Sequence, residues 1–212
     1  MTKPDLTAAL TSPSADATLR LYRDWAASYE TGFVAEMQYR LPGHVAAAFV
    51  AAGGRGPVLD VGAGTGLLAE NLRALGFTDE IDGLDFSPEM LERAAEKRLY
   101  HALIRADVTQ SLPLTRRYNG VTSSGTFTAG HVGPEAFGPL LAVANPGAQF
   151  ALSINERVWT AQGFDWVLAD LQQQGRIADL QLIEVQVYGE AAQRLDAEHA
   201  NDHAQVALFR AV

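Results

Sequence analysis

The sequence contains no cysteine and comparatively few basic residues. The absence of cysteine excludes disulfides, thiolate metal sites and a cysteine nucleophile. Acidic residues outnumber basic residues by 25 to 16, which gives a formal net charge of −9 at pH 7. Because a negative field of this size repels a phosphate backbone, we expect no nucleic-acid partner.

Long apolar runs are also missing from the sequence. No apolar stretch reaches the roughly 18 residues that a membrane-spanning helix needs, so we expect no membrane partner. Residues 1–18 lack the basic-then-apolar order of a signal peptide and look like a flexible tail. These features favour a cytoplasmic protein, and we expect a monomer or a homodimer.

The sequence does have enough apolar residues for one packed α/β domain over residues 19–212. Hydrophobic residues make up 48% of its 212 positions. Strand and helix patterns alternate, which predicts a parallel sheet with helices on both faces. The predicted strands lie near 57–61, 80–85, 102–106, 119–124, 148–154, 179–188 and 204–211, the last two forming a hairpin-like pair at one edge. The predicted helices lie near 19–30, 44–52, 66–75, 88–99 and 161–174, with another beginning at 134.

The most informative motif is Val-Leu-Asp-Val-Gly-Ala-Gly-Thr-Gly at residues 58–66. A short apolar strand carries Asp60 near its end, and three glycines then lead into a helix that begins near Leu67. Such a turn lets a ligand approach the backbone and leaves the first N–H groups of the helix free. The acid favours a ligand with a positive group, hydroxyls or both. The alternative is a turn that binds nothing.

Acidic residues follow three successive predicted strands, at Asp60, Asp85 and Asp107. Because ligands of open α/β sheets bind at the carboxyl ends of the strands, these acids can line one crevice. An acid after the second strand can accept both ribose hydroxyls, and one after the third can accept from an exocyclic amine. The three acids together predict an adenosine-shaped site. The alternatives are a helix cap for Asp85 and a simple turn for Asp107.

Two other nucleotide-binding patterns are not matched. Leu67 interrupts the spacing that a dinucleotide-binding G-x-G-x-x-G motif requires, and no Gly-Lys-Ser/Thr of a P-loop is present. Nothing in the motif neutralises a pyrophosphate, whereas its acids suit a cofactor that is cationic at one end. A nicotinamide-dependent oxidoreductase is therefore an alternative that both Leu67 and Asp60 disfavour.

In four segments the chain resembles the class I S-adenosylmethionine-dependent methyltransferases. The resemblance is carried by VLDVGAGTG (58–66), IDGLDFSPEML (81–91), ADV (106–108) and YNGVTSSGTF (118–127). It implies a single-domain Rossmann-like methyltransferase fold with a seven-stranded, mostly parallel sheet, one antiparallel edge strand and helices on both faces. It also implies S-adenosyl-L-methionine as cofactor.

Two further segments resemble a narrower group, the small methyltransferases typified by the Williams–Beuren syndrome region protein. These segments are LYRDWAASYE (21–30) and GTFTAGHVGPEAF (125–137). The N-terminal part, residues 19–53, is predicted to form a helical lid over the cofactor, with the Tyr22 and Tyr29 hydroxyls facing its methionine carboxylate. The alternative is that Tyr22, Trp25 and Tyr29 only attach a helix to the core.

The resemblance to the class I enzymes implies a role for each cofactor-contacting residue. Asp60 would reach the amino group of the methionine part, Asp85 the ribose hydroxyls, and Asp107 the adenine amine. The remaining implied contacts are Gly62, Ala63 and Gly64 under the methionine part, Phe86, Ser87 and Met90 around the ribose and adenine, Val108 beside the ring, and Ser123 and Ser124 beside the sulfonium.

The methyl acceptor is expected to be a small molecule. His131 lies in the loop after the fourth strand, which should face the acceptor, and histidine can take a proton at neutral pH. The alternative is a structural or solvated histidine. Asn155 and Glu156 also point toward this region by topology. The histidines show no metal-ligand spacing, so we expect no metal. A non-catalytic cofactor-binding module is the second alternative to a methyltransferase, after the nicotinamide-dependent oxidoreductase.

Overall fold

Seven strands form one sheet in the computed structural model, which describes residues 29–212. The strands are β1 (Val58–Val61), β2 (Ile81–Asp85), β3 (Ala102–Arg105), β4 (Tyr118–Phe127), β5 (Ala144–Asn155), β6 (Ile177–Gln186) and β7 (His203–Ala211). Their order across the sheet is β3-β2-β1-β4-β5-β7-β6. Neighbours from β3 to β5 are parallel, whereas β7 pairs antiparallel with both β5 and β6.

Helices connect the strands and precede β1. The α-helices are α1 (Leu41–Ala51), α2 (Leu67–Ala74), α3 (Pro88–Glu96), α4 (Phe137–Ala142), α5 (Glu156–Trp159) and α6 (Phe164–Gln173). The N-terminal helical segment consists of Glu30–Val34 and Ala35–Met37, and short 3-10 turns lie at Pro134–Ala136 and Glu190–Arg194. Among residues 29–212, none of the helices combines the length and apolar character that crossing a membrane requires.

The sheet buries apolar side chains on both faces, because successive residues of a strand point to opposite sides. Val58 belongs to a cluster with α1 and α2, whereas Leu59 and Val61 belong to a cluster with α4 and α6. Asp60 has the parity of Val58 and therefore lies on the face that α1 and α2 cover. A carboxylate is thus placed at the end of a strand that is otherwise fully apolar.

The direction of strand addition changes at β1. From β1 the sheet grows through β2 and β3 on one side, and through β4 and β5 on the other. Ligands of open α/β sheets bind in the crevice at such a switch, outside the carboxyl ends of the strands. The turn after β1 and the ends of β2 and β4 border this crevice.

The predicted seven-stranded, mostly parallel sheet with an antiparallel edge is confirmed. Its antiparallel strand is β7, which lies one position in from the edge, while β6 forms the edge itself. β4 extends three residues past the predicted end at 124, because a register shift against β5 lets the strand continue to Phe127. The helix predicted from 161 begins at Phe164, after the separate α5. The tail predicted over residues 1–18 lies outside the described residues.

Candidate active site

The turn after β1 has a left-handed backbone that glycine adopts without strain. Gly62, Gly64 and Gly66 have φ angles of +66°, +54° and +90°. A Cβ at Gly62 would overlap the Thr126 hydroxyl, so β4 lies directly against the turn. On the other side, Gly62 N donates to Leu84 O at 2.8 Å. The turn is therefore a bare backbone surface that both neighbouring strands hold in place.

Asp85 ends β2 and accepts two backbone hydrogen bonds. Gly64 N donates to Oδ2 and Ser87 N donates to Oδ1, each at 2.8 Å. Burial raises the pKa of Asp85, and the backbone N–H groups around it oppose that rise. An ionised carboxylate offers about four acceptor positions, so capacity for ligand hydroxyls remains. Asp85 thus joins the glycine turn to the start of α3.

Asp60 is buried, yet only one of its carboxylate oxygens is hydrogen-bonded. Its side chain is 1% exposed, and the Tyr100 hydroxyl donates to Oδ2 at 2.7 Å. Oδ1 has no hydrogen-bond partner among residues 29–212. Burial raises the pKa of Asp60 to about 7, the Tyr100 hydrogen bond lowers it, and the charge of Asp85 raises it further. A buried polar atom without a partner is costly, so this oxygen is suited to accept from a ligand.

The residues after β2 differ in how accessible they are. Phe86 is 40% exposed, whereas Ser87 and Met90 are buried. Ser87 Oγ accepts from Met90 N at 3.3 Å and caps α3, as the sequence predicts. The ring of Phe86 is therefore the part of this group that is free to cover a ligand.

The residues after β3 hold a turn. Asp107 Oδ1 accepts from Thr109 N at 2.9 Å and from Thr109 Oγ1 at 2.7 Å. Val108 is buried in the main core, and Asp107 itself is exposed. Asp107 therefore has the turn role that the sequence offered as an alternative. Its second oxygen makes no hydrogen bond within residues 29–212 that would prevent it from binding an amine. Ala63, in the glycine turn, is buried and donates its N–H to Leu84 O at 3.0 Å.

The end of β4 bends toward the glycine turn. Ser123 Oγ and Thr126 Oγ1 both donate to Val61 O, at 2.8 and 3.1 Å. Gly125 N donates to Ser153 Oγ at 3.0 Å, within the register shift between β4 and β5. Irregularities of this kind often re-aim residues beside active sites. The Ser123 hydroxyl already donates its proton to Val61 O of β1, so it can border a ligand but cannot donate to it.

Tyr39 reaches the same place from the N-terminal part of the chain. A Cβ at Gly125, where φ is +78°, would overlap the Tyr39 hydroxyl. Burial raises the pKa of Tyr39 to about 12, and the neighbouring Ser124 side chain counteracts part of that rise. Ser124 and Tyr39 therefore meet at the carboxyl end of β4.

An ion pair fixes the other end of the N-terminal helical segment. Lys97 Nζ lies 2.5 Å from Glu30 Oε1 and 2.8 Å from Glu70 Oε2. Lys97 ends α3, and its side chain also approaches Gly66 of the turn. The segment therefore runs across the carboxyl edge of the sheet from the glycine turn toward β4, and its role as a lid stays a prediction. Tyr22 and Trp25 of the predicted lid lie outside the described residues.

An aromatic cluster, formed by Tyr29, Phe33, Tyr39 and Tyr188, lies under this segment. Tyr29 stacks on Phe33 with ring centroids 5.5 Å apart. Phe33, Tyr39 and Tyr188 contact one another with centroid distances of 5.9 to 6.0 Å. Tyr29 therefore packs among aromatic rings, which supports its structural role. Its predicted contact with a cofactor carboxylate stays a prediction.

His131 lies in the loop after β4, as predicted. Burial lowers its pKa to about 4, so the imidazole is neutral at pH 7. Asn155 caps α5 by accepting from Arg157 N at 2.9 Å, which assigns its side chain a structural role. Glu156 lies 3.8 Å from His203 in a partly exposed pair. The loop thus offers His131 in a form that can accept a proton, although a low pKa makes it a weak base.

Three residues of the site were missed by the sequence analysis. Tyr100 binds Asp60 from 40 positions away, and Tyr39 meets Gly125 from still farther. No local pattern signals either contact. Thr65 is buried within the glycine motif with its hydroxyl unpartnered among the described residues, so the motif itself could have drawn attention to it.

Comparisons with known proteins agree with this site. Residues 58–147 match a family model described as a methyltransferase domain. The match begins at β1 and includes the glycine turn, Asp85 and Asp107. Residues 58–147 are thus similar to a methyltransferase domain, in agreement with the resemblance of the sequence to the class I S-adenosylmethionine-dependent methyltransferases.

Individual relatives extend the likeness beyond the matched domain. Human methyltransferase-like protein 27 is 35% identical over 148 residues, which are 66% of this chain. The chain spans 59% of the length of that relative. A S-adenosylmethionine-dependent methyltransferase from Clostridium acetobutylicum has the same fold, with a TM-score of 0.58, 15% identity, and coverage of 90% of this chain and 99% of that one.

A second solved structure belongs to an enzyme of known substrate. Magnesium protoporphyrin IX methyltransferase from Synechocystis, with bound S-adenosylmethionine, has a TM-score of 0.54 and 18% identity. The alignment covers 80% of this chain and 78% of that one. At this identity the likeness concerns the fold, and the predicted Rossmann-like methyltransferase fold is confirmed.

Proposed function

We propose that this protein transfers the methyl group of S-adenosylmethionine to a small-molecule acceptor. The observation that carries the proposal is Asp60, a buried carboxylate at the end of β1 with one oxygen that has no partner in the described part of the chain. A ligand amino group beside the glycine turn would satisfy that oxygen. The matched methyltransferase domain and the shared fold support the same conclusion.

The residues fit the cofactor from end to end. The bare backbone of Gly62–Gly64 leaves room for the methionine part, and Asp60 accepts from its amino group. Asp85 accepts from the ribose hydroxyls while Gly64 N and Ser87 N hold its carboxylate in position. The exposed ring of Phe86 covers the adenine side. Asp107 accepts from the adenine amine through the oxygen that does not bind Thr109.

S-adenosylmethionine supplies an activated methyl group on a sulfonium, so the protein needs no covalent nucleophile. The N-terminal helical segment and the aromatic cluster exclude water from the carboxyl edge of β4. Aligning donor and acceptor in this way can contribute up to roughly 7–11 kcal/mol of the barrier reduction. His131 accepts a proton when the acceptor must lose one, and its lowered pKa keeps it unprotonated at pH 7.

The acceptor is proposed to be small and not a nucleic acid. The net charge of −9 opposes binding of a polyanion. The Tyr39 hydroxyl restricts the space beside Gly125, and Phe33 and Tyr188 pack against the Tyr39 ring. A tritiated-methyl screen over small acceptors, with His131→Ala as a comparison, tests turnover. Tight cofactor binding with no turnover on any acceptor would favour a non-catalytic binding module.

Calorimetry with Asp85→Ala tests the cofactor assignment directly. We expect the variant to lose about 2–3 kcal/mol of affinity for S-adenosylmethionine, the scale of hydrogen bonds to a charged group. Glu92→Ala, which removes an exposed carboxylate from α3, is the matched control and should bind as the wild type does. NAD should not bind either protein. Equal affinities for S-adenosylmethionine in wild type and Asp85→Ala would refute the ribose assignment.

A further inference from the structure

A cavity of about 380 Å³ lies between the start of α1 and the first turns of α2. Its lining includes Tyr39, Arg40, His44, Leu67 and Asn71. Small-molecule sites have volumes of about 300–1,000 Å³, so the cavity is large enough for a compact ligand. Its walls combine the apolar Leu67 with polar groups from two different helices, which is the usual composition of a ligand site.

Arg40 gives this cavity an unbalanced positive charge. Among residues 29–212, its guanidinium makes no hydrogen bond or ion pair, whereas its backbone N–H donates to Val187 O at 2.9 Å. Arg40 is exposed and lines the cavity, so its guanidinium is accessible to a ligand. A guanidinium has five N–H donors in a fork that matches a carboxylate. Arg40 is therefore suited to bind an anionic ligand.

The start of α1 adds further donors without a partner. His44 Nε2 is buried and has no hydrogen-bond partner within the described part of the chain. Within residues 29–212, α1 has no side-chain cap and no acidic residue in its first turn, so the positive end of this 11-residue helix is not neutralised there. Burial and the charge of Arg40 lower the pKa of His44, which keeps the imidazole neutral and able to donate from one nitrogen. The donors and the charge all favour an anion.

The cavity adjoins the proposed reaction site. Leu67 directly follows Gly66 of the glycine turn, and the Tyr39 hydroxyl lies against Gly125 at the end of β4. Leu67 and Asn71 are one turn of α2 apart, so the cavity extends away from the glycine turn along that helix. A ligand whose anionic end lies at Arg40 can therefore extend past Tyr39 toward the crevice.

We propose that this cavity binds the carboxylate of the methyl acceptor, which makes the acceptor a small organic acid. The inference rests on the proposed methyl transfer, because the cavity can hold part of the acceptor only if the cofactor binds beside it. Arg40 binds the carboxylate, His44 Nε2 donates a second hydrogen bond, and Tyr39 separates this subsite from the reacting groups. The cofactor has a carboxylate of its own, so the test must distinguish these two sources.

The experiment is a set of calorimetric titrations on the full chain saturated with S-adenosylhomocysteine. The probes are acetate, hexanoate, benzoate and phenylacetate, each compared with its neutral amide. The variants are Arg40→Met, Arg40→Lys and His44→Leu, and circular dichroism verifies that each is folded. Arg55→Met is the control, because Arg55 is exposed just beyond the opposite end of α1. Titrations of S-adenosylmethionine and decarboxylated S-adenosylmethionine complete the set.

We expect at least one acid to bind tenfold or more tightly than its amide. Arg40→Met and His44→Leu should each weaken that acid at least fivefold, Arg40→Lys should restore part of the loss, and Arg55→Met should change nothing. None of the variants should change the affinity for S-adenosylmethionine. An absence of any preference for acids over amides would overturn the proposal.

Two other results are informative in different ways. If Arg40→Met weakens S-adenosylmethionine but not its decarboxylated form, the cavity serves the cofactor carboxylate and the proposal is wrong. If neither S-adenosylmethionine nor S-adenosylhomocysteine binds the wild type, the proposed function fails instead. The same acid and amide titrations on the ligand-free protein then show whether the cavity binds a carboxylate without the cofactor.

Discussion

Along the carboxyl edge of the sheet, the ends of β1 and β2 are joined mainly by backbone hydrogen bonds, whereas the end of β4 is covered by side chains from distant segments. On the first side, Gly62 N donates to Leu84 O, and Gly64 N donates to Asp85. On the second side, the Tyr39 hydroxyl lies against Gly125, and Tyr188 packs against Tyr39. The cofactor half is therefore defined by short sequence motifs, and the acceptor half by tertiary packing.

This difference predicts that a substitution in one half leaves the other half intact. A backbone turn with left-handed glycines tolerates almost no substitution, and it presents the same N–H groups whatever surrounds it. Aromatic side chains provide a surface whose shape changes with each substitution, while the sheet beneath stays the same. Such an arrangement keeps the cofactor constant and leaves the acceptor open to change. The predictions that follow test whether the halves are separable.

The largest effect is expected for Gly62→Ala, which changes the glycine turn of the cofactor half. The left-handed φ costs alanine about 1–2 kcal/mol, and overlap with the Thr126 hydroxyl adds about 1–3 kcal/mol. Urea unfolding should therefore show a loss of roughly 2–5 kcal/mol in the free energy of unfolding. Gly147→Ala is the matched control, since φ is +80° there and no atom lies within 4 Å of its Cβ. Equal losses in both variants would contradict the close approach of β4.

The next effect concerns the acceptor half. Tyr188→Leu removes the ring contacts with Phe33 and Tyr39, which should loosen the N-terminal helical segment by about 1–2 kcal/mol. Amide hydrogen exchange over residues 30–37 should accelerate accordingly. The affinity for S-adenosylmethionine should change by less than about twofold, because the substitution leaves the cofactor half unchanged. Trp166→Leu, at an exposed position of α6, is the control. A large loss of cofactor affinity in Tyr188→Leu would show that the halves are coupled.

A third prediction uses the pKa of Asp60, which burial raises from 3.8 to about 7. Because the folded protein then binds more protons than the unfolded chain between these values, Asp60 lowers stability as pH rises from 3.8 to about 7. Asp60→Asn should lack this decline when urea unfolding is followed across that pH range. A wild type and a variant with parallel stability profiles would contradict the raised pKa.

The same group predicts how cofactor binding depends on pH. Only ionised Asp60 attracts a positive amino group, so S-adenosylmethionine affinity should rise by roughly tenfold between pH 5.5 and 7. Calorimetry on Asp60→Asn supplies the reference. The ratio of the S-adenosylmethionine affinities of the wild type and the variant does not depend on the titration of the ligand itself. A ratio that does not change with pH would separate Asp60 from the amino group.

The smallest effect is expected for Glu30→Gln, which removes the ion pair between the N-terminal helical segment and Lys97. The carboxylate is 35% exposed, so solvent screens the pair and the expected loss is less than about 1 kcal/mol. Cofactor affinity should fall by less than about twofold at low salt, and the difference should vanish at high salt. Glu96→Gln, which breaks an exposed pair with Arg93 on α3, should have no effect.

The sequence determined the sheet and the cofactor half, because their signals are local. Apolar strands at regular spacing, the glycine turn, Asp85 and the Ser87 cap each act within a few residues, and the structure has them where they were predicted. Only the tertiary structure decided the rest. Tyr100 reaches Asp60, Tyr39 reaches Gly125, and Arg40 lines a cavity with Asn71, through contacts between segments far apart in the chain. Side chains that meet only after the sheet has assembled leave no periodic pattern in the sequence. The contacts of the acceptor half could therefore be identified only in the tertiary structure.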